Sequence, residues 1–406
     1  MFSISTRWNP TVAGIALRTY RTTVLGIEAS CDDSAVALVN GDGEVLARRA
    51  YANREIQARL GGIVPSIAAE QHRNHLMPMI DECLRESGCQ LQDLSGVAVS
   101  NRPGLVVALK AGVQVALNIA RRARTNLIPI HHMRAHALSA LLVNKEIRFP
   151  FIAVLLSGGH CLFTVCDSPD NFRLLGQSFS GSPGECLDKV GREIGVHTLP
   201  EYQHLHIGAA VERLAKIASS NGHFRYTVNG PSTSWAADTD FSSIKASFLM
   251  LISKEGSSIC IEDFCASVQF SITRHIASRL HAALNFLRES GDLEKCQHVV
   301  IGGGVAANAY IAQALSKVVS HYGLRCFQIP KSLCTDNGEM IAWNGILSLN
   351  HRSSAVIPWD KIPDQLYCLS REDIGDDIRE RVQKPKAKIS AGSLHPNLPL
   401  RITKYS

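Results

Sequence analysis

The sequence predicts an α/β protein made of two similar lobes that face one another across a central cleft, and three observations carry that expectation. The stretch TVLGIEASCDDSAVALVNGDGEVLA reads as an apolar strand, a polar turn around Cys31 to Ser34, a second strand, and a Gly41 to Gly43 turn into a third. From Phe151, FIAVLLSGGHCLFTVCDSPDNFRLLG repeats that plan, with its small polar turn at Ser157 to His160. Each meander is followed by strand-and-helix units, so the chain reads as internally duplicated. At 406 residues it is also too long for one comfortable hydrophobic core.

Between the meanders, His72 to Ser87 has helical spacing, SGVAVSNRP is a strand running into a loop, and Val106 to Arg124 is a helix. That helix ends in Arg121, Arg122 and Arg124, cations that suit a helix C-terminus. In the second half, Ile261 to Glu289 fits a long amphipathic helix, and HVVIGGGVAANAYIAQAL fits strand, glycine loop and helix. CTDNGEMIAWNGIL fits a helix with Thr335 as its candidate N-cap. The expected lobes are residues 24–149 and 150–350. Residues from about 197 to 257 lack periodicity and read as an insertion, and residues 351–406 form an extension whose end, from Lys384, reads as an exposed basic tail.

Of the formal charge of +6, half comes from Arg7, Arg18 and Arg21, which precede the first strand. The mild basicity of the rest permits contact with phosphates without arguing for it. Residues 1–23 hold three arginines and several hydroxyl residues, and no acid occurs before Glu28, the pattern of a mitochondrial import segment or of a disordered basic tail. No apolar run approaches the roughly 20 residues of a membrane helix, so no membrane span is expected. The twelve cysteines include no Cys-x-x-Cys pair and fit buried thiols in a reducing compartment, with Cys161 and Cys166 as the one candidate redox pair.

Three small-residue loops follow apolar strands: Glu28 to Ser34, Ser157 to His160, and Gly302 to Asn308. Backbone N–H groups in such loops approach phosphate closely, and a following helix N-terminus adds a favourable field. One glycine loop alone is most often only a turn, but three placed symmetrically about one cleft favour nucleotide binding. Asp188, in GSPGECLDKVG, is a candidate partner for ribose hydroxyls or a cap for the following helix. In IHHMRAH, His132 and His136 lie four residues apart on one helical face, the spacing of a metal-binding pair, and Asp336 of CTDNGE is the candidate third ligand. A zinc peptidase would place glutamate directly after the first histidine, where this chain has Met133.

With these segments in order, the chain resembles the tRNA N6-adenosine threonylcarbamoyltransferase family from about Val24 to Leu347. The resemblance rests on LGIEASCDDSAVAL, GGIVPSIAAEQH, IPIHHMRAH, LLSGGH, GECLDKVGREIG and CTDNGEMIA. The import-like segment ahead of them is similar to that of the mitochondrial branch. The resemblance implies an actin and sugar-kinase type of nucleotide-binding fold. It also implies transfer of a threonylcarbamoyl group, from an adenylate made by a separate synthase, to the adenosine beside the anticodon of tRNAs reading codons that begin with A. Carried over by position, His132, His136 and Asp336 match ligands of one divalent metal ion, iron or zinc, while Leu155, Leu156, Ser157, Gly158, Gly159, Asp188, Gly208 and Asn308 match adenylate-binding positions.

The mitochondrial branch is expected to act in the matrix as a homodimer. Asp32 and Asp33, in the first polar turn, are candidates for proton removal or for contact with metal-bound water, and equally for capping their own turn. Departures from the family pattern occur at Arg102 and Val107, where glycine-containing sequence is usual, at Arg134 and Ala135 in place of Glu-Gly, and at DFSSIKAS. Arg102 and Val107 keep a degenerate nucleotide- or tRNA-binding scaffold in view, and the nucleotide fold itself keeps a small-molecule kinase or carbamoyltransferase in view.

Overall fold

The computed structural model describes residues 22–53, 56, 63–231, 233, 235–395 and 397–404. The import segment read over residues 1–23 therefore lies almost wholly outside the described residues. The first meander forms β1 (Thr23–Glu28), β2 (Ser34–Asn40) and β3 (Val45–Tyr51), antiparallel neighbours. Then come α1 (Pro65–Ser87), β4 (Gly96–Arg102), α2 (Val106–Ala123), β5 (Asn126–His131) and α3 (His132–Val143). The sheet order is β3-β2-β1-β4-β5, with β4 and β5 parallel to β1. Helix α1 begins two turns before the expected His72, because Pro65 sits in its first turn, where a fixed φ suits a helix and a missing N–H costs nothing.

The second half repeats this design. Strands β6 (Phe151–Leu156), β7 (Cys161–Cys166) and β8 (Phe172–Ser180) form its meander. They are followed by α4 (Pro183–Glu193), α5 (Ile207–Lys216), β9 (Thr239–Asp240), α6 (Phe241–Glu255) and α7 (Ile261–Glu289). Strand β10 (His298–Gly302), α8 (Ala309–His321), β11 (Arg325–Gln328) and α9 (Gly338–Asn350) complete it. The order β8-β7-β6-β10-β11, with β10 and β11 parallel to β6, matches the first sheet strand for strand. The duplication read from the sequence is thus a repeated topology.

The last helix of the second half leaves its own sheet for the first, and the last helix of the first half lies between the two. Helix α9 packs on β1 and β2 of the first sheet and beside α3, while α3 also touches β6 and β10 of the second. Both helices lie between the sheets in one shared core that includes Val24, Ile130, Leu138, Phe151, Leu155, Ile341 and Ile346. Helices α1 and α2 cover the far face of the first sheet, and α7 and α8 that of the second.

Two expectations about organisation need correction. Residues 197–257 are not a patternless excursion, because α5 and α6 bury Ile207, Val211, Leu214, Phe241, Ile244 and Phe248 in the second lobe's outer core. Serines within FSSIKASFLM hid that helical period from the sequence. The stretch from Lys384 is not a free tail either: β13 (Ala387–Ile389) pairs with β14 (Ile402–Lys404), and Leu394 is fully buried. Before it, residues 357–379 run from an isolated bridge between Leu127 and Ile357 to β12 (Asp376–Asp377), which extends the second sheet along β8.

All twelve cysteines are free thiols. Cys161 and Cys166, an odd number of residues apart on β7, face the outer and the central core respectively, so the suggested redox pair does not form.

The seat of α9 leaves no room for side chains. A Cβ on Gly338 would lie 2.3 Å from the carbonyl carbon of Val36, and one on Gly26 would lie 2.3 Å from both Ala342 N and Gly338 O. Gly338→Ala is therefore expected to lower the urea-unfolding free energy by about 1–3 kcal/mol or more. An unchanged midpoint would contradict this direct backbone contact.

Candidate active site

The N-terminal ends of the two central helices meet at the cleft. Helix α3 opens with His132 and presents His136 one turn later, both buried. Helix α9 is capped not by Thr335, as expected, but by Asn337, whose Oδ1 accepts from Met340 N at 2.8 Å. Starting the helix there leaves Asp336 outside it, with its carboxylate free to face the histidines. The Asn337 amide also donates to Thr335 O at 2.7 Å, which fixes the turn that carries Asp336.

One ligand atom from each of His132, His136 and Asp336 lies within 4.8 Å of the others. Asp336 Oδ1 is 3.1 Å from His136 Nε2 and 3.5 Å from His132 Nε2. The sequence reading did not single out Glu28 for a role here. Its fully buried carboxylate lies 3.0 Å from His132 Nδ1 through Oε2, while Oε1 accepts from Ser30 N at 2.6 Å. A carboxylate on one imidazole nitrogen fixes the ring and leaves the other nitrogen as a ligand, a common support for metal-binding histidines. The signal was present in the sequence as a lone acid closing the apolar strand TVLGIE.

The charges respond to this enclosure. Burial disfavours the His132 cation, yet Glu28 and Asp336 outweigh it and raise its pKa from the ordinary 6.5 to about 9. Burial alone would raise the Asp336 pKa, but His132 and His136 hold its carboxyl well below the usual range. Burial pushes the Cys31 thiol far up, with Asp32 and Asp336 adding to the effect, so Cys31 is not a nucleophile at neutral pH. The same proximity brings the first polar turn up to Asp336. Asp32 and Asp33 are half-buried in it, and Asp32 O accepts from Gln71 Nε2 at 2.6 Å.

The glycine loops of the second lobe converge. Gly303, at φ +93°, lies so close to the end of β6 that a Cβ would be 2.3 Å from Leu156 O, and one on Gly184 would be 2.7 Å from Gly158 Cα. Gly158, Gly159 and Gly304 by contrast face open space. Ser157 Oγ accepts from His160 N at 3.0 Å and organises its loop. Leu155 and Leu156 are buried strand residues whose side chains belong to the cores, so what they do for the site is to place that loop.

Asp188, Gly208 and Asn308 lie among the helices of the second lobe. Asp188 is inside α4 and pairs with Arg192 at 2.9 Å, and the helix is capped by Ser182, which removes the capping role considered for Asp188. Gly208 N donates to His206 Nδ1 at 3.2 Å at the start of α5. Asn308 caps α8 and donates to Gln269 Oε1 at 2.8 Å, and Ala309 N donates to Glu212 of α5 at 3.1 Å. The Gly208 helix and the Asn308 cap therefore adjoin. None of the three lines the groove of about 560 Å³ that opens at Gly158, Gly159 and His160 and is flanked by His131 and Met133.

With this geometry in place, comparison with known proteins places the chain. The family model for TsaD, tRNA N6-adenosine threonylcarbamoyltransferase, matches residues 44–343. The chain belongs to this family. It is 48% identical over 389 residues to a Caenorhabditis elegans protein named probable tRNA N6-adenosine threonylcarbamoyltransferase, mitochondrial, covering 94% of this chain and 91% of that one. The human mitochondrial enzyme of the same name is 35% identical over 379 residues, covering 90% of each. Among solved structures, component A of the Acidaminococcus fermentans (R)-2-hydroxyglutaryl-CoA dehydratase superposes with a TM-score of 0.48 at 15% identity, over 80% of this chain and 99% of that one.

The raised pKa of His132 sets a pH dependence in metal-free protein. A group whose folded pKa exceeds its unfolded value stabilises fully below the unfolded pKa, and that contribution is lost as pH rises through the folded one. The resistance of chelator-treated protein to thermal unfolding should therefore fall from about pH 6.5 to about pH 9. Glu28→Gln should flatten that slope, and an unchanged slope would contradict the role given to Glu28.

Proposed function

We propose that this chain transfers the threonylcarbamoyl group of threonylcarbamoyl-adenylate to N6 of the adenosine 3′ of the anticodon, in tRNAs reading codons that begin with A. The reaction is placed in the mitochondrial matrix, with a separate synthase supplying the adenylate and a homodimer as the working form. One observation carries the reading: His132, His136 and Asp336, which the family match brackets, come together at the mouth of a cleft framed by open glycine loops.

Two imidazoles and a carboxylate, with one imidazole fixed by Glu28, suit a single divalent ion and accommodate iron or zinc equally. Such an ion supplies Lewis acidity toward an anionic phosphate or a polarised carbonyl oxygen. The protein's own groups do the rest. The exocyclic nitrogen of the acceptor forms a bond to the carbamoyl carbon, the carbon–oxygen bond to phosphate breaks, AMP departs, and the nitrogen loses one proton. The open positions at Gly158 and Gly304, which no side chain shields, let the departing phosphate approach the backbone of the Ser157–His160 and Gly303–Gly304 loops. Asp188, Gly208 and Asn308 are assigned to the adenylate on the side of α4, α5 and α8. Asp32 or Asp33, in the turn beside Asp336, takes the proton.

The scaffold reading drew on Arg102 and Val107 as departures from the family pattern, and Val107 lies exposed in the first turn of α2. In the fold Arg102 has a partner of its own, Glu372 at 2.5 Å, so that departure is accounted for without loss of the site. Purified protein given tRNA, ATP, threonine, bicarbonate and the synthase should form the modified nucleoside, detected by mass spectrometry of digested tRNA. His132→Ala and Asp336→Ala should each lower its formation at least about a hundredfold, the scale of losing a principal electrostatic stabiliser. Activity surviving both substitutions would leave the scaffold role, and ATP turnover stimulated by a small molecule without tRNA would indicate the kinase.

A further inference from the structure

Arg102 and Arg134, two positions at which the chain departs from its family's usual residues, bind the same segment of the C-terminal extension. Arg102 Nε donates to Glu372 Oε2 at 2.5 Å, and Arg134 Nε donates to Ile374 O at 2.7 Å. The segment is held along its length. Arg121 Nη2 donates to Pro363 O at 2.6 Å, Asn101 Nδ2 to Tyr367 O at 3.0 Å, and Leu369 N to Asn101 O at 3.2 Å. On the second lobe β12 joins β8, and Arg379 pairs with Asp238 at 3.1 Å. Residues 363–379 thus form a strap from the first lobe to the second, and Ser370 to Ile374 become one wall of the groove at His160.

The groove is also lined by Phe179, 78% exposed near the end of β8. Its ring is not committed to the core and is open to a ligand in the groove. The strap contributes Arg371 to the same groove, an exposed cation that makes no ion pair or hydrogen bond among the described residues. The acids nearby are mostly matched: Glu185 pairs with Lys245 at 2.9 Å, Glu372 with Arg102, and Asp373 adds to the field at Arg379. The groove runs to His160, beside the cluster of His132, His136 and Asp336, and its volume of about 560 Å³ suits one nucleotide. An exposed aromatic ring and a guanidinium lining the same groove are the pair of groups that receives a base and its phosphate from single-stranded nucleic acid.

We propose that the groove between Phe179 and the strap is where the acceptor nucleotide enters, with Phe179 stacking on a base of the anticodon loop and Arg371 contacting a backbone phosphate. This rests on the transfer function above. Glu372, clamped by Arg102, and Ile374, clamped by Arg134, act as positioning residues that set Arg371 over the groove.

Steady-state transfer with varied tRNA and saturating adenylate tests it, the KM for adenylate serving as a control for local damage. Phe179→Ala and Phe179→Leu should raise the KM for tRNA by at least about fivefold, while Phe179→Tyr restores it, because stacking needs a ring rather than apolar bulk. Arg371→Ala should make the log–log salt dependence of that KM shallower by about one, and Arg371→Lys should restore it. Phe179→Leu indistinguishable from wild type, or a salt slope unchanged in Arg371→Ala, would overturn the assignment. So would conversion of a dimer to a monomer by Phe179→Ala in sedimentation, which would give the ring to a second copy of the chain. Absence of modified nucleoside with the wild-type protein would instead strike the transfer function itself.

Discussion

The geometry of the cleft depends on a contact between two backbones. Gly26 in β1 and Gly338 at the start of α9 let a helix from the second lobe lie directly on the first sheet, nearer than any side chain permits. Because α9 is seated there, the turn that precedes it delivers Asp336 to the start of α3, and His132 and His136 already face that point. The pair of central helices also fuses the lobes through one shared core. The site is therefore a product of the interlobe packing, and its three principal side chains are separated by up to about 200 residues of sequence.

Electrostatics then gives the three side chains distinct roles. Glu28 is wholly buried and spends one oxygen on the Ser30 amide and the other on His132. Glu28 and Asp336 raise the pKa of the His132 imidazole, and a metal ion held by the cluster would supply the positive charge that balances these carboxylates. An isolated histidine pair on a helix has no such requirement. The buried acids are what make a cation at this point a structural necessity as well as a chemical convenience.

Much of this was legible in the sequence because the duplicated meanders write the strand order twice and the polar turns of both fall at matching places. His132, His136 and Asp336 were legible for the same reason, since helical spacing sets the pair and the CTDNGE turn precedes a clear helix. What escaped were features that depend on distant partners. Glu28 reads as a strand residue until His132 arrives beside it, and Arg102 and Arg134 read as departures until the strap arrives to bind them. Thr335 was the wrong cap because Asn337, two residues on, offers its side chain to Met340 N while its amide braces the preceding turn. The stretch from Lys384 read as a tail because its apolar anchors, Leu394 with the partly buried Ile389 and Leu400, are spaced too irregularly to show a period.

The account stands on one centre formed by His132, His136 and Asp336, with Glu28 behind it. Anomalous diffraction from crystals of the metal-loaded protein tests it most directly. It predicts a single strong peak bound by Nε2 of His132, Nε2 of His136 and a carboxylate oxygen of Asp336, with Nδ1 of His132 still on Glu28. A peak elsewhere, or a metal bound through Nδ1 of His132 with Glu28 displaced, would contradict it.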